Sequence, residues 1–211
     1  MIYVIGGMKY SVCKSAAAVN LSIYLSKKCN GSVLLADADP SHKSSEFINS
    51  YRQADKSSSV EALKLAGNYN FQNMIKLSQK FDHIVIDSGL GESLENALKI
   101  ADKLLVPFSR KDHGLWTVWT LAKLESVLNK VWDDNYNLNA YSFLMGYSNS
   151  KRPSADVLKA LLNSQCIDYI EGNSASGELL SEVLNHGFST TDLKHPQNIE
   201  VKEMSAIFDN L

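Results

Sequence analysis

A chain of 211 residues with 45% hydrophobic and 21% charged side chains can bury one substantial core and lies far from the composition of a disordered protein. Its formal net charge of -2 excludes a global positive field for nucleic acid, so any DNA contact must come from a local patch. The three cysteines, Cys13, Cys29 and Cys166, are odd in number and lack C-x-x-C spacing, which disfavours a disulfide framework or a zinc site and reads as free thiols in a reducing cytosol.

In chain order, Ile2 to Ile5 reads as a buried strand, Ala16 to Lys28 as a helix and Ser32 to Ala36 as a second strand, a β-α-β beginning. The apolar run at the N-terminus is too short for a signal segment, and no later run reaches the length of a membrane span, so secretion and membrane spanning are disfavoured. Residues 44–80 read as helices, with Val60, Leu63, Leu65, Phe71, Met74, Ile75 and Leu77 as their apolar positions and Ser57, Ser58 and Ser59 as an N-cap region. Two further strands, His83 to Ile86 and Lys103 to Val106, flank a helical segment from Leu94 to Ala101. After Gly114 a long helix carries Leu121, Leu124, Leu128 and Val131 at helical spacing. Trp116, Trp119 and Trp132 read as core packing, with a dimer surface as the alternative. A fifth strand is expected over Tyr141 to Met145. Apolar strands separated by helices predict a doubly wound, mostly parallel α/β sheet with helices on both faces, a three-layer arrangement in one domain over 1–211.

The chemistry concentrates at strand ends. Lys9-Tyr10-Ser11-Val12-Cys13-Lys14-Ser15 sits between the first strand and a helix, where amide groups and the helix dipole favour an anion. Lys14 would supply charge to phosphates and Ser15 a hydroxyl to Mg²⁺, the two tasks of the K-[ST] end of a phosphate loop. Asp37-Ala38-Asp39-Pro40 ends the second strand with two carboxylates. Asp82 to Gly89 ends another strand in the acid Asp87, the shape of an element that orders a metal ion. Asp37 and Asp39 also suit helix capping, and His83, His113 and His186 read as structural. Cys13 reads as a small residue in place of glycine or as a redox-sensitive thiol at a helix start.

With these residues in place the chain resembles the ParA/MinD family of P-loop ATPases, whose deviant Walker A loop reads K-G-G-x-G-K-[ST]-T followed by A-x-N-L. Lys9 matches the signature lysine; Lys14, Ser15 and Val19-Asn20-Leu21 resemble the remainder of that motif. Asp37-Ala38-Asp39-Pro40 matches the D-x-D-P switch, Asp87 the Walker B acid, and Ala101 to Pro107 the A-D-x-x-[IL]-[IV]-P strand. The likeness covers at least residues 1–115, and the length is similar to that of small plasmid-borne members without an N-terminal DNA-binding extension.

The resemblance implies ATP and Mg²⁺ as ligands, with Lys9, Cys13, Lys14, Ser15 and Ala16 around the nucleotide and Ser15, Asp37 and Asp87 around the metal. It implies that Lys9 reaches the partner's phosphates across a homodimer, that Lys14 holds them within its own chain and that Asp39 orients the attacking water. Lys14 is expected to be an exposed loop lysine with little part in packing. A ParB-like centromere-binding adaptor, nonspecific DNA and a cytoplasmic, nucleoid-associated location follow as expectations. Tyr10, Ser11 and Cys13 stand where the family has glycine, which lets backbone approach phosphate closely. Their presence implies weakened nucleotide affinity and keeps open a non-hydrolysing adaptor on the same fold. For DNA, the Lys/Arg pairs are Lys27-Lys28, Arg110-Lys111 and Lys151-Arg152, while the stretch from Tyr141 onward carries five basic against nine acidic residues and suits nonspecific DNA poorly.

Overall fold

The computed structural model describes residues 1–8, 12–54, 59–65, 69, 71–109, 114–145, 154–173 and 205–211. Its strands are β1 (Ile2–Ile5), β2 (Val33–Asp37), β3 (Val60–Lys64), β4 (His83–Asp87), β5 (Lys103–Ser109), β6 (Asn139–Met145) and β7 (Asp168–Asn173). Helices α1 (Val12–Cys29), α2 (Lys43–Ala54), α3 (Gln72–Leu77), α4 (Glu92–Leu98), α5 (Gly114–Val131) and α6 (Ala155–Leu162) lie between them. All pairings are parallel, in the order β3-β2-β4-β1-β5-β6-β7. The doubly wound α/β architecture expected from the sequence is therefore the one observed.

Two apolar clusters make the three layers. Alternate residues of a strand point to opposite faces, so Ile2 and Val4 of β1, Leu34 and Ala36 of β2, and Ile84 and Ile86 of β4 join α4, α5 and α6 on one face. Tyr3, Ile5, Val33, Leu35 and Val85 join α1, α2 and the C-terminal turn at 205–209 on the other. Burial on both faces is why these strands carry unbroken apolar runs, each fully buried Val, Leu or Ile contributing about 1.5–3 kcal/mol.

Three readings change. The stretch Val60–Lys64 is an edge strand rather than helix: it stands at the end of the strand order and pairs in the sheet with β2, and its apolar residues at 60, 63 and 65 imitate helical spacing because only one face of an edge strand is covered. Ser59 caps no helix; its hydroxyl donates to the Gly31 carbonyl at 2.7 Å and pairs with the Ser26 hydroxyl, while Ser57 and Ser58 lie outside the described residues. Trp116 and Trp119 are 63% and 46% exposed, not core. Thr117 and Thr120 occupy the buried positions of that turn, and the two indoles meet edge to face at 5.8 Å with Lys123 Nζ 4.0 Å from the Trp119 ring centre. Only Trp132 is half-buried, its indole N–H donating to the Leu138 carbonyl at 3.0 Å. Among the described residues no helix is long and apolar enough to cross a membrane.

Gly6 follows β1 where strand, sheet and α4 converge. A Cβ there would lie 2.5 Å from Leu94 Cδ1, 3.1 Å from Leu104 Cδ1 and 3.2 Å from Ser88 Oγ, so that these buried side chains would have to shift. Gly6→Val is expected to destabilise the fold by about 1–3 kcal/mol through overpacking, measured by urea unfolding; a stability equal to the parent's would refute this packing account.

Candidate functional site

The site grows from strand register. Ile5, Asp37 and Asp87 end three adjacent strands, and Asp87 is the register partner of both Ile5 and Asp37. Parallel partners present their side chains to the same face, so two aspartates emerge side by side toward α1 and α2. Both are fully buried. The main chain is locked around them: the Ala38 amide donates to the Asp87 carbonyl at 2.9 Å, and the Ser88 amide and hydroxyl donate to the Ile5 carbonyl at 3.1 and 3.0 Å.

The two carboxylates are treated differently. Asp37 Oδ2 accepts the Ser45 amide of α2 at 2.8 Å and Oδ1 the Asp39 amide at 3.2 Å, so Asp37 caps the first turn of α2 across the loop. Asp87 has no such help: neither of its buried carboxylate oxygens has a hydrogen-bond partner of acceptable geometry, and the buried Ser44 hydroxyl beside it is likewise unmatched. Burial, together with the neighbouring charge of Asp37, pushes Asp87 up to about 7, against the opposing influence of the Ser15 and Ser44 hydroxyls and Lys14. An unmatched buried carboxylate is costly unless something complements it. A magnesium ion fits that requirement, being a hard cation that takes oxygen ligands and retains waters; Asp37, Asp87 and Ser15 would hold it. Among the described residues no cluster of three or more His, Cys, Asp and Glu forms a self-sufficient metal centre, so such an ion would need ligands from its nucleotide and water.

Lys14 is the cation that the structure itself supplies. It is 2% exposed, which corrects the expectation of a solvated loop lysine. Its Nζ donates to the Ser88 carbonyl at 3.0 Å. Burial lowers its pKa, against the raising influence of Asp87 and Asp39. Lys14 therefore serves both as core packing in the first turn of α1 and as the counter-charge of the cluster. Asp39 lies one loop position outward; burial would raise its pKa, but donation from the Ser41 hydroxyl at 2.6 Å and amide at 2.9 Å, with the charges of Lys14 and His42, holds it below the usual carboxylate range.

Of the residues singled out by sequence, Lys14, Ser15, Asp37, Asp39 and Asp87 come together here, and Ala16 packs in the core directly behind them. Cys13 contributes backbone to the first turn of α1. Lys9, Tyr10 and Ser11, together with Arg110, Lys111, His113, Lys151, Arg152 and His186, lie outside the described residues. Sequence reasoning passed over Ser41, His42, Ser44 and Ser45, and read Ser88 only as the start of Ser88-Gly89-Leu90, a turn in place of the family's usual proline-containing one after the Walker B acid. The signal available for those four was their position directly after Asp-x-Asp-Pro, at the head of a helix.

Asp87 couples the cluster to pH. Its folded value near 7 lies above the ordinary 3.8, so between these limits the native state binds the extra proton. Stability conferred by that proton is full below the lower limit and is lost as pH rises toward 7. In the absence of divalent cations, Asp87→Asn is expected to flatten this part of the profile, a difference on the order of a few kcal/mol. Urea unfolding of parent and variant at pH 5 and pH 8 measures it, and identical slopes would contradict a carboxyl that is protonated because it is buried.

No protein-family model and no curated protein matches the sequence. Solved structures do. A plasmid partition protein of Borrelia burgdorferi bound to AMPPNP superposes with a TM-score of 0.73 at 19% identity, over 99% of this chain and 96% of its own. MinD of Aquifex aeolicus gives 0.70 at 18%, over 99% and 95%. The apo form of Cyanothece McdA gives 0.70 at 17%, over 99% of both chains. With Lys14 and three aspartates gathered at the ends of β1, β2 and β4, this parallel sheet has the P-loop fold of the ParA/MinD-type ATPases.

Proposed function

We propose that this chain is a ParA-like, nucleotide-dependent dimer switch in plasmid or chromosome partition, binding ATP with Mg²⁺ at the cluster around Lys14. The observation that carries this reading is the fully buried Asp87 carboxylate, which the hydroxyls of Ser15 and Ser44 approach without a hydrogen bond of acceptable geometry, in register with Asp37. Such a pair is the arrangement a cation-bearing phosphate site needs and one that a purely structural core avoids. Structures of similar fold are described with AMPPNP or ATP bound, which agrees with the reading.

The chain's own residues divide the work. Lys14 would leave the Ser88 carbonyl for the phosphates, exchanging one set of acceptors for a more strongly charged one. Ser15, Asp37 and Asp87 would hold the magnesium ion, which when bound neutralises phosphate charge. Asp39, held ionised by Ser41, would orient water, and Lys9 would extend the positive charge across a homodimer. Phosphoryl transfer depends chiefly on such positioning and charge. The exposed face of Leu115, Trp116, Val118 and Trp119 offers apolar surface for a second copy or a ParB-like adaptor. Nonspecific DNA would be bound by the dimer, in the cytoplasm at the nucleoid.

A second reading is favoured by Tyr10, Ser11 and Cys13, which occupy sequence positions where the family has the glycines that admit phosphate. On it the chain is an adaptor that keeps the fold and does not hydrolyse ATP. Calorimetry with Mg²⁺ and ATP, followed by a hydrolysis assay with and without DNA, separates the two.

Lys14→Met, which keeps the buried volume, is expected to weaken Mg²⁺-ATP binding roughly ten- to hundredfold, the size of a lost charge-assisted contact. Asp39→Ala is expected to lower turnover about tenfold or more while changing affinity by less than about threefold, because a water-orienting group acts in the transition state. Undiminished affinity in the first variant, or equal losses of binding and turnover in the second, would contradict the assigned roles.

A further inference from the structure

His42 joins the loop after β2 to α2 and holds a φ of +50°, in the left-handed region that favours glycine. Among the described residues the other non-glycine example is Asn30, a residue type that accepts this conformation readily. The backbone of His42 is held from three sides: its amide donates to the Asp39 carbonyl at 3.0 Å, and its own carbonyl accepts the Glu46 amide at 3.2 Å and the Ser45 hydroxyl at 3.0 Å. Glycine would meet all three demands with less strain.

The side chain is not needed to cap α2 either. That work falls to Asp37, whose Oδ2 takes the Ser45 amide. The imidazole instead sets Nδ1 3.8 Å from Asp37 Oδ1, with the ring 28% exposed. Nδ1 itself is shut off from solvent and has no hydrogen-bond partner. At 3.8 Å the pair is slightly too far apart for a direct hydrogen bond, and a small turn of ring or carboxylate closes the gap.

The geometry points to His42 as a positioning residue for Asp37, its buried ring nitrogen steadying the carboxylate that would carry the magnesium ion of a bound nucleotide. This inference rests on the nucleotide reading above. Asp37 has two tasks that pull on the same group, capping α2 and facing a cation. Oδ1 accepts the Asp39 amide at a long 3.2 Å, and the ring nitrogen beside it adds a second restraint on the rotation of the carboxylate while Oδ2 stays with the helix. Groups that orient a metal-bearing carboxylate characteristically change metal affinity ten- to hundredfold when removed.

His42→Gly and His42→Asn both accept the left-handed backbone and both lack the ring. Calorimetry with AMPPNP, once with Mg²⁺ and once with EDTA, is expected to show about a tenfold loss of the Mg²⁺-dependent affinity in both variants. The affinity in EDTA should be unchanged, and resistance to urea as high as the parent's or higher in the glycine variant. A residue there only for packing would lose stability and keep the Mg²⁺ dependence, and that result overturns the inference. Should glycine loosen the turn, the asparagine variant still decides. A parent that binds no nucleotide fails the functional reading instead, and the side-chain carboxyl ¹³C resonance of Asp37 in the nucleotide-free protein then serves as the readout. A resonance displaced in both variants upholds the contact; one that stays in place overturns it.

Discussion

The structure turns on two aspartates forced into register. Parallel pairing of β2 with β4 sets Asp37 beside Asp87, on the face covered by α1 and α2, where neither reaches water. Like charges in so poorly screened a place repel strongly, and the chain answers in three ways. Asp37 is tied to the amides of Asp39 and Ser45, Asp87 retains its proton up to about pH 7, and Lys14 is drawn inward until its amine rests on the Ser88 carbonyl. On the nucleotide reading proposed above, each of these responses would also be a functional disposition. The cap on α2 places the Ser41 to Ser45 turn over the cluster, the raised Asp87 leaves an acceptor waiting for a cation, and the buried lysine keeps a positive charge where phosphate would need it.

Folding and function therefore compete at this spot. Removing the charges would relieve the core, since a buried, unmatched carboxylate weakens a fold. Retaining them makes sense when a bound ligand completes the set, because binding energy then restores what the empty site lacks. Close packing at Gly6 seats the end of β1 against α4 and Ser88, beside the three strand ends that the register holds at one level.

Much of this arrangement was legible in the sequence for a physical reason. Strands buried on both faces cannot hide their apolar runs, and an acid that closes such a run, as in Leu34-Leu35-Ala36-Asp37 or Ile84-Val85-Ile86-Asp87, has few structural uses. The errors came where burial is one-sided. Val60–Lys64 covers only the edge of the sheet, so its apolar positions repeat irregularly. The first turns of helix α5 are apolar on their outer side, with Leu115, Trp116, Val118 and Trp119 facing out, while Leu121, Leu124 and Leu128 further along face the core; periodicity could not tell these faces apart, and the buried threonines Thr117 and Thr120 misled further. Helix α6 and strand β7 escaped notice because β7 offers one well-buried apolar residue, Ile170, on an outer strand. The burial of Lys14 was hidden for a different reason: a lysine at a helix start gives no sign of which way its amine turns, and here the two aspartates decide it.

The central claim is that the Asp37, Asp87 and Lys14 cluster is a cation and phosphate site held incomplete in the empty protein. Thermal unfolding in the presence of ATP, with and without Mg²⁺, tests it most directly, because a ligand at 100 times its dissociation constant stabilises the native state by about 2.7 kcal/mol. For a chain of this length that corresponds to a rise of roughly 5–10 °C in the unfolding temperature. The account predicts such a rise with Mg²⁺ and ATP together, a smaller one with ATP alone, and loss of the Mg²⁺-dependent part in Asp87→Asn. An unfolding temperature indifferent to millimolar Mg²⁺ and ATP, or a Mg²⁺-dependent rise that survives intact in Asp87→Asn, would contradict it.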